Sequence, residues 1–168
     1  MTARGSSALR LRMAFEDHDR RGAVAATREV ALLAMEYVVD DATLLRHALD
    51  VARDWCAGQA DLAGLSAARA SVAEAASRAD AGEDRGAFLA ADAVMATLDA
   101  ALEAMPALAA KHAWRAAQCA VEAASWPDVD DEAVVSEAEA RVNAVLDRAL
   151  PRRVELGLAV RRPEGRRA

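Results

Sequence analysis

An all-α fold, a compact bundle of about six antiparallel helices with no β-sheet, follows from three features of the 168-residue sequence. Alanine supplies 46 of the residues, and it is the strongest helix former because it loses no side-chain entropy in a helix. Residues that favour strands or turns are scarce, with 8 Gly, 4 Pro and 4% aromatics. Apolar positions also recur at helical spacing, and helix starts near residues 42, 61, 85, 107 and 131 are separated by clear breaks.

The first twelve residues are small, polar and basic, which predicts a flexible N-terminus over 1–12, disordered at least through residue 7. A helix is predicted to begin around Phe15, with acids in its first turn, and to run to about Val39, with Gly22 either interrupting it or marking a late start. Only Glu36 is charged between Val30 and Val39, so this helix is the expected centre of the core. The stretch 42–58 is the cleanest amphipathic segment. Leu44, Leu45, Ala48, Leu49, Ala52, Trp55 and Cys56 share one arc, His47, Asp50 and Asp54 lie opposite, and Arg46 and Arg53 flank the edge. Asp40 or Asp41 is placed to cap it and Gly58 to stop it.

Asp61 is the expected cap of a helix over about 61–79, with a weak alanine face, and Ala81-Gly82-Glu83-Asp84 reads as a loop. The next helix, about 85–105, carries Phe88, Ala91, Val94, Met95, Leu98, Leu102 and Met105 on one face. Pro106 starts a helix over about 107–125 whose Lys111, Arg115, Gln118 and Glu122 form a solvated stripe, and Trp126-Pro127-Asp128 ends it. Val134, Val135, Ala138, Val142, Val145, Leu146 and Ala149 mark a last helix, about 131–149. Residues 13–150 therefore read as one bundle domain, followed by a basic Arg-rich tail, 151–168. The segments share composition but no repeating signature, which favours a single bundle over a solenoid. Because alanine buries little area, Phe15, Trp55, Phe88, Trp114 and Trp126 are expected to matter disproportionately to the core.

Charge is unevenly distributed. Residues 23–150 carry 10 Arg or Lys against 22 Asp or Glu, a net −12, while residues 1–22 are net +2 and 151–168 net +4. An acidic body argues against nucleic acid or an anionic membrane as the partner. No signal-peptide pattern and no long uncharged apolar run is present, so a cytoplasmic protein without a membrane span is expected. Cys56 and Cys119 lie on apolar helix faces without a CxxC spacing and are read as reduced core thiols.

Chemistry-bearing patterns are sparse. His47, Asp50 and Asp54 share a helix face, but it is the face turned away from the apolar arc, where a solvated surface is expected. His112 precedes Cys119 by seven residues and could pair a base with a thiol, although a core histidine is the ordinary reading. There is no Glu-x-x-His pair, HExxH or glycine-rich phosphate loop. No catalytic, metal or cofactor residue is assigned, and the chain is read as a non-enzyme. The remaining candidate is a strip on the 85–105 helix, Asp92, Asp99 and Glu103. These fall within about 40° of one another at 100° per residue, and no Lys or Arg lies between Arg85 and Lys111 to neutralise them locally. The strip is a net negative ridge unless a neighbouring helix supplies cations, and it is the predicted partner-binding surface; if reversing Asp99 and Glu103 to Lys left association kinetics unchanged, the ridge would be a solvated face and the loops around Gly82 and Trp126 the alternative.

Three runs, FEDHDRRGAVAATREVALLAMEYV, HALDVARDWCAGQADLAGLSAARASVAEAA and HAWRAAQCAVEAA, resemble the helical immunity proteins of bacterial polymorphic toxin systems. The matching positions are Asp17 and His18, Ala48, Leu49, Ala52, Arg53, Trp55, Gly58, Gln59 and Asp61, then His112-Ala113 and Ala116-Ala117, within residues 15–125. Glu74-Ala75-Ala76, Leu98-Asp99 and Arg115 depart from that pattern, the first two where the family carries histidines and the third where it carries glycine. The resemblance implies a helical bundle that neutralises a cognate toxin by occluding it. Two other readings remain open. One is a small-molecule- or metal-binding bundle using His18, Tyr37, His112 and Cys119, and the other is a structural homo-oligomer.

Overall fold

Aspartates set most of the helix starts. In this computed structural model, residues 3–17, 19–38 and 41–150 are described, with side chains from residue 8 onward. Seven α-helices follow one another: α1 Ala3–Glu16, α2 Arg20–Ala34, α3 Ala42–Cys56, α4 Leu62–Ala81, α5 Arg85–Leu102, α6 Pro106–Ser125 and α7 Glu132–Ala149, with a 3-10 turn, Met35–Tyr37, after α2. No strand occurs among the described residues. The carboxylates of Asp19, Asp61, Asp84 and Asp131 accept from the backbone N–H groups of Gly22, Gly64, Ala87 and Ala133 at 2.8 to 3.0 Å, satisfying donors that a helix leaves open at its start.

The first predicted helix corresponds to α2, and a further helix, α1, precedes it in the stretch expected to be flexible, making seven among the described residues rather than about six. The break comes from Asp19, which turns its carboxylate back onto the N–H of Gly22. A Cβ at Gly22 would meet Asp19 Oδ2 at 2.2 Å, so a larger residue there would push the capping carboxylate aside. Upstream, the sequence boundary at residue 13 is too late: α1 begins at Ala3, Leu11 and Phe15 are buried in the core, and Arg10 pairs with Asp147 of α7 at 2.8 Å. The expected Asp41 cap is also corrected. Asp41 adopts a left-handed φ of 57° and makes no capping bond, and its carboxylate accepts instead from Arg78 Nη2 of α4 at 3.1 Å. Asp40 and the predicted tail 151–168 lie outside the described residues. Gly58, at φ 77°, ends α3 as predicted, since that conformation costs glycine little.

The centre of the bundle is α5, not the 30–39 segment. It packs against α2, α3, α4 and α6, and its buried residues run from Leu89 to Ala101, broken only by Met95 and Asp99. Alanines at 90, 91, 93, 96, 100 and 101 let the surrounding helices come close on several sides. Segment 30–39 cannot hold that place because α2 ends at Ala34 and the exposed Glu36 and Tyr37 follow. Buried hydroxyls are satisfied locally: Thr27 and Thr97 donate to the carbonyls of Ala23 and Ala93 one turn earlier.

Of the large side chains, Phe15 and Trp55 are buried, Phe88 and Trp114 are half-buried, and Trp126 stands 48% exposed, outside the core. Trp55 closes the α2–α3 corner, with the Arg20 and Arg21 guanidinium carbons 5.6 and 5.7 Å from its ring centre. Among the described residues no helix is long and apolar enough to cross a membrane.

Candidate functional site

The predicted acidic ridge on α5 is taken apart by its neighbours. Asp92 is buried, and it accepts a two-pronged bond from Arg115 of α6, Nε to Oδ2 at 3.0 Å and Nη2 to Oδ1 at 2.5 Å. The Cys119 thiol donates to the same Oδ2 at 3.1 Å. Asp99 accepts from Arg69 Nε of α4 at 2.6 Å, with only 16% of its side chain exposed. Glu103 sits at the end of α5 and accepts from the backbone N–H of Met105, tightening the link into α6. The three acids therefore serve three separate structural contacts: cations arrive for Asp99 from α4 and for Asp92 from α6, and Glu103 takes a backbone N–H. Arg115, predicted to be one member of a solvated stripe, is the stitch that holds α6 to α5.

The other predicted groups likewise do not converge. His47 is exposed, while Asp50 pairs with Arg53 and Arg28 at 3.0 and 3.5 Å and Asp54 pairs with Arg53 at 3.0 Å. Tyr37 accepts from Arg141 Nη1 of α7 at 3.0 Å. Cys119 is committed to Asp92, and its pKa is pushed up to about 12, chiefly by burial and then by the Asp92 charge, so it is a thiol and not a nucleophilic thiolate. Cys56 is also raised, mainly by burial, and lies 3.4 Å from the Arg21 carbonyl. His112 is half-buried, and His18 lies outside the described residues. No group of three or more His, Cys, Asp or Glu is arranged to hold a metal among the described residues.

A different face collects what a binding surface needs. Between Arg115 and Arg141 the chain has no Lys or Arg but seven acids: Glu122, Asp128, Asp130, Asp131, Glu132, Glu137 and Glu139. Asp131 caps α7, and Glu122 is bonded by Arg85 of α5. Asp128, Asp130, Glu132 and Glu137 are exposed and form no ion pair with a described residue. In the same region α6 and α7 enclose a cleft of about 200 Å³. Its α6 wall is Trp114, Ala117, Gln118, Val121, Glu122 and Ser125, and its α7 wall is Val135, Glu139, Val142 and Asn143. Val129, 37% exposed, closes the end formed by the 126–131 link, beside the exposed Trp126.

Sequence reasoning pointed to the loop around Trp126 only as a fallback. The signal it passed over is the 25-residue stretch without a cation, which is as long as the one that singled out α5 and carries more acids. No protein-family model, curated protein or solved structure matches this chain.

Proposed function

We propose that this chain is a cytoplasmic, non-catalytic binding protein of immunity type, which neutralises a cognate toxin by occupying a cationic surface on it. The observation that carries the reading is the acid-rich surface of the stretch between Arg115 and Arg141, which has no Lys or Arg of its own and where four exposed carboxylates lack an ion-pair partner among the described residues. Such a face accelerates capture of a basic protein by steering its approach, and it does so without any moving part. The well-capped helices behind it support a preformed surface, which limits the ordering cost of binding.

Size disfavours the small-molecule alternative. The α6–α7 cleft, at about 200 Å³, is smaller than the roughly 300–1,000 Å³ typical of ligand sites, and Tyr37 and Cys119 are already committed to Arg141 and Asp92.

The test is to look for a neighbouring gene that encodes a toxic domain and to co-express that domain with this chain, scored by growth and by association of the purified pair. Rescue with a stable complex is expected. Neither rescue nor association would remove the reading.

A further inference from the structure

We propose that the α6–α7 cleft is the docking groove, and that it receives one or two apolar anchor side chains from a cationic amphipathic helix of the partner, whose Lys or Arg residues meet the surrounding carboxylates. This deepens the immunity-type reading and rests on it for the identity of the partner, while the chemistry of the groove stands on its own residues.

The groove combines an apolar set of side chains with the polar Gln118, Glu122, Ser125, Glu139 and Asn143. Trp114 and Val121 on α6 face Val135 and Val142 on α7, with Val129 at the closed end. Two helices side by side present a trough into which a third helix can lay its apolar stripe, inserting residues at i and i+4 or i+7. The volume, about 200 Å³, decides how much enters: it suits one or two leucine- or phenylalanine-sized side chains, not a whole helix. A purely apolar partner would leave the rim unsatisfied. Asp128 and Asp130 flank Val129 in the link, Glu132 lies on the first turn of α7 on the side of Val135 and Glu139, and no cation among the described residues pairs with these three. An occupant with positive charge beside its anchors matches both the apolar set and the rim, and this complementarity selects it over a neutral helix or an acidic one.

The experiment uses the full chain and a synthetic 16-residue helical peptide with Leu and Phe at i and i+4 and Lys on its flanks, its binding read by fluorescence anisotropy. A second peptide keeps the charge but replaces both anchors with Ala. The anchored peptide should bind about tenfold more tightly than the Ala peptide, and Val135→Glu or Val129→Glu should abolish that difference with the melting temperature preserved. Both variants add negative charge, so general attraction to an acidic protein predicts the opposite sign. Equal binding of the two peptides, or an anchor effect untouched by both variants, overturns the proposal. Displacement of the probe by a peptide of residues 151–168, or a self-association lost in Val135→Glu, would overturn it in favour of this chain as its own occupant. In the growth assay, rescue by the wild type and equal rescue by Val135→Glu would defeat the groove while leaving the immunity reading intact. Failure of wild-type rescue, with the peptide result as expected, would defeat only the latter.

Discussion

The α5 seam and the α6–α7 face begin from the same sequence signal and end in opposite conditions. Each is an acid-bearing stretch with no cation of its own: Arg85 to Lys111 in one case, Arg115 to Arg141 in the other. On α5, Arg69 and Arg115 reach across from α4 and α6 and bind Asp99 and Asp92, which are largely withdrawn from water. On the other face Glu122 receives such a visitor, Arg85, while Asp128, Asp130, Glu132 and Glu137 remain in solvent without a described partner. The difference lies in position. α5 is surrounded by α2, α3, α4 and α6, so Asp92 and Asp99 on it meet another helix, whereas α7 packs chiefly against α1, α2 and α6 among the described residues and leaves Glu132 and Glu137 exposed. Acids inside the seam hold the fold together; acids outside it are available to a partner.

The comparison can be broken most strongly at the seam and its surroundings. Trp55→Ala, at the far corner of the bundle, sets the scale with a loss of about 3–5 kcal/mol in urea unfolding, since it empties a buried indole volume that alanine neighbours cannot refill. At alkaline pH the Cys119 thiol should weaken the fold comparably. Its folded pKa, about 12, lies above the ordinary thiol value, so the folded chain holds this proton more tightly than the unfolded one. Its contribution is therefore complete below about pH 8.5 and is lost as pH rises toward 12, up to about 4 kcal/mol. Cys119→Ala should remove that part of the alkaline slope, and an unchanged slope would place the thiol in a wetter site than the geometry indicates.

Within the seam, the two halves of one ion pair should differ. Arg115→Ala leaves the buried Asp92 with only the Cys119 thiol for company and should cost about 3 kcal/mol, as expected when a buried charge loses its counter-ion. Asp92→Ala leaves an arginine whose side chain is already 51% exposed, so it should cost less, about 1–2 kcal/mol. Equal losses would mean that Asp92 reaches water in the folded chain.

Much of the fold was legible because its causes are local. Pro106 at the start of α6, Gly58 after α3, the 81–84 loop and the Asp61 cap each follow from one residue's backbone or side-chain chemistry. The errors came where a distant residue decided the outcome. Asp41 was expected to cap α3, but Arg78, 37 residues away, claims its carboxylate. Leu11 looks like part of a polar terminus until α6 and α7 supply the surface on which α1 is buried. Asp92 and Asp99 were correctly placed along one helix, but α5 stops at Leu102 and leaves Glu103 extended just past its end, and helical arithmetic has no knowledge of Arg69 or Arg115. The α6–α7 cleft was harder still, since its walls are two helices whose alignment no single stretch encodes.

The contrast between paired and partnerless acids is tested most directly on the chain alone, by measuring the stability of the combined variant Asp128→Asn, Asp130→Asn, Glu137→Gln at low and high salt. These three carboxylates cap no helix and pair with no described cation, so neutralising them should relieve like-charge repulsion and raise stability by about 0.5 kcal/mol at low ionic strength. The gain should vanish near 1 M salt, where screening acts within about 3 Å. A loss of about 1 kcal/mol or more at both salt concentrations would contradict the account, because it would make these acids part of the fold and not a surface held open for a partner.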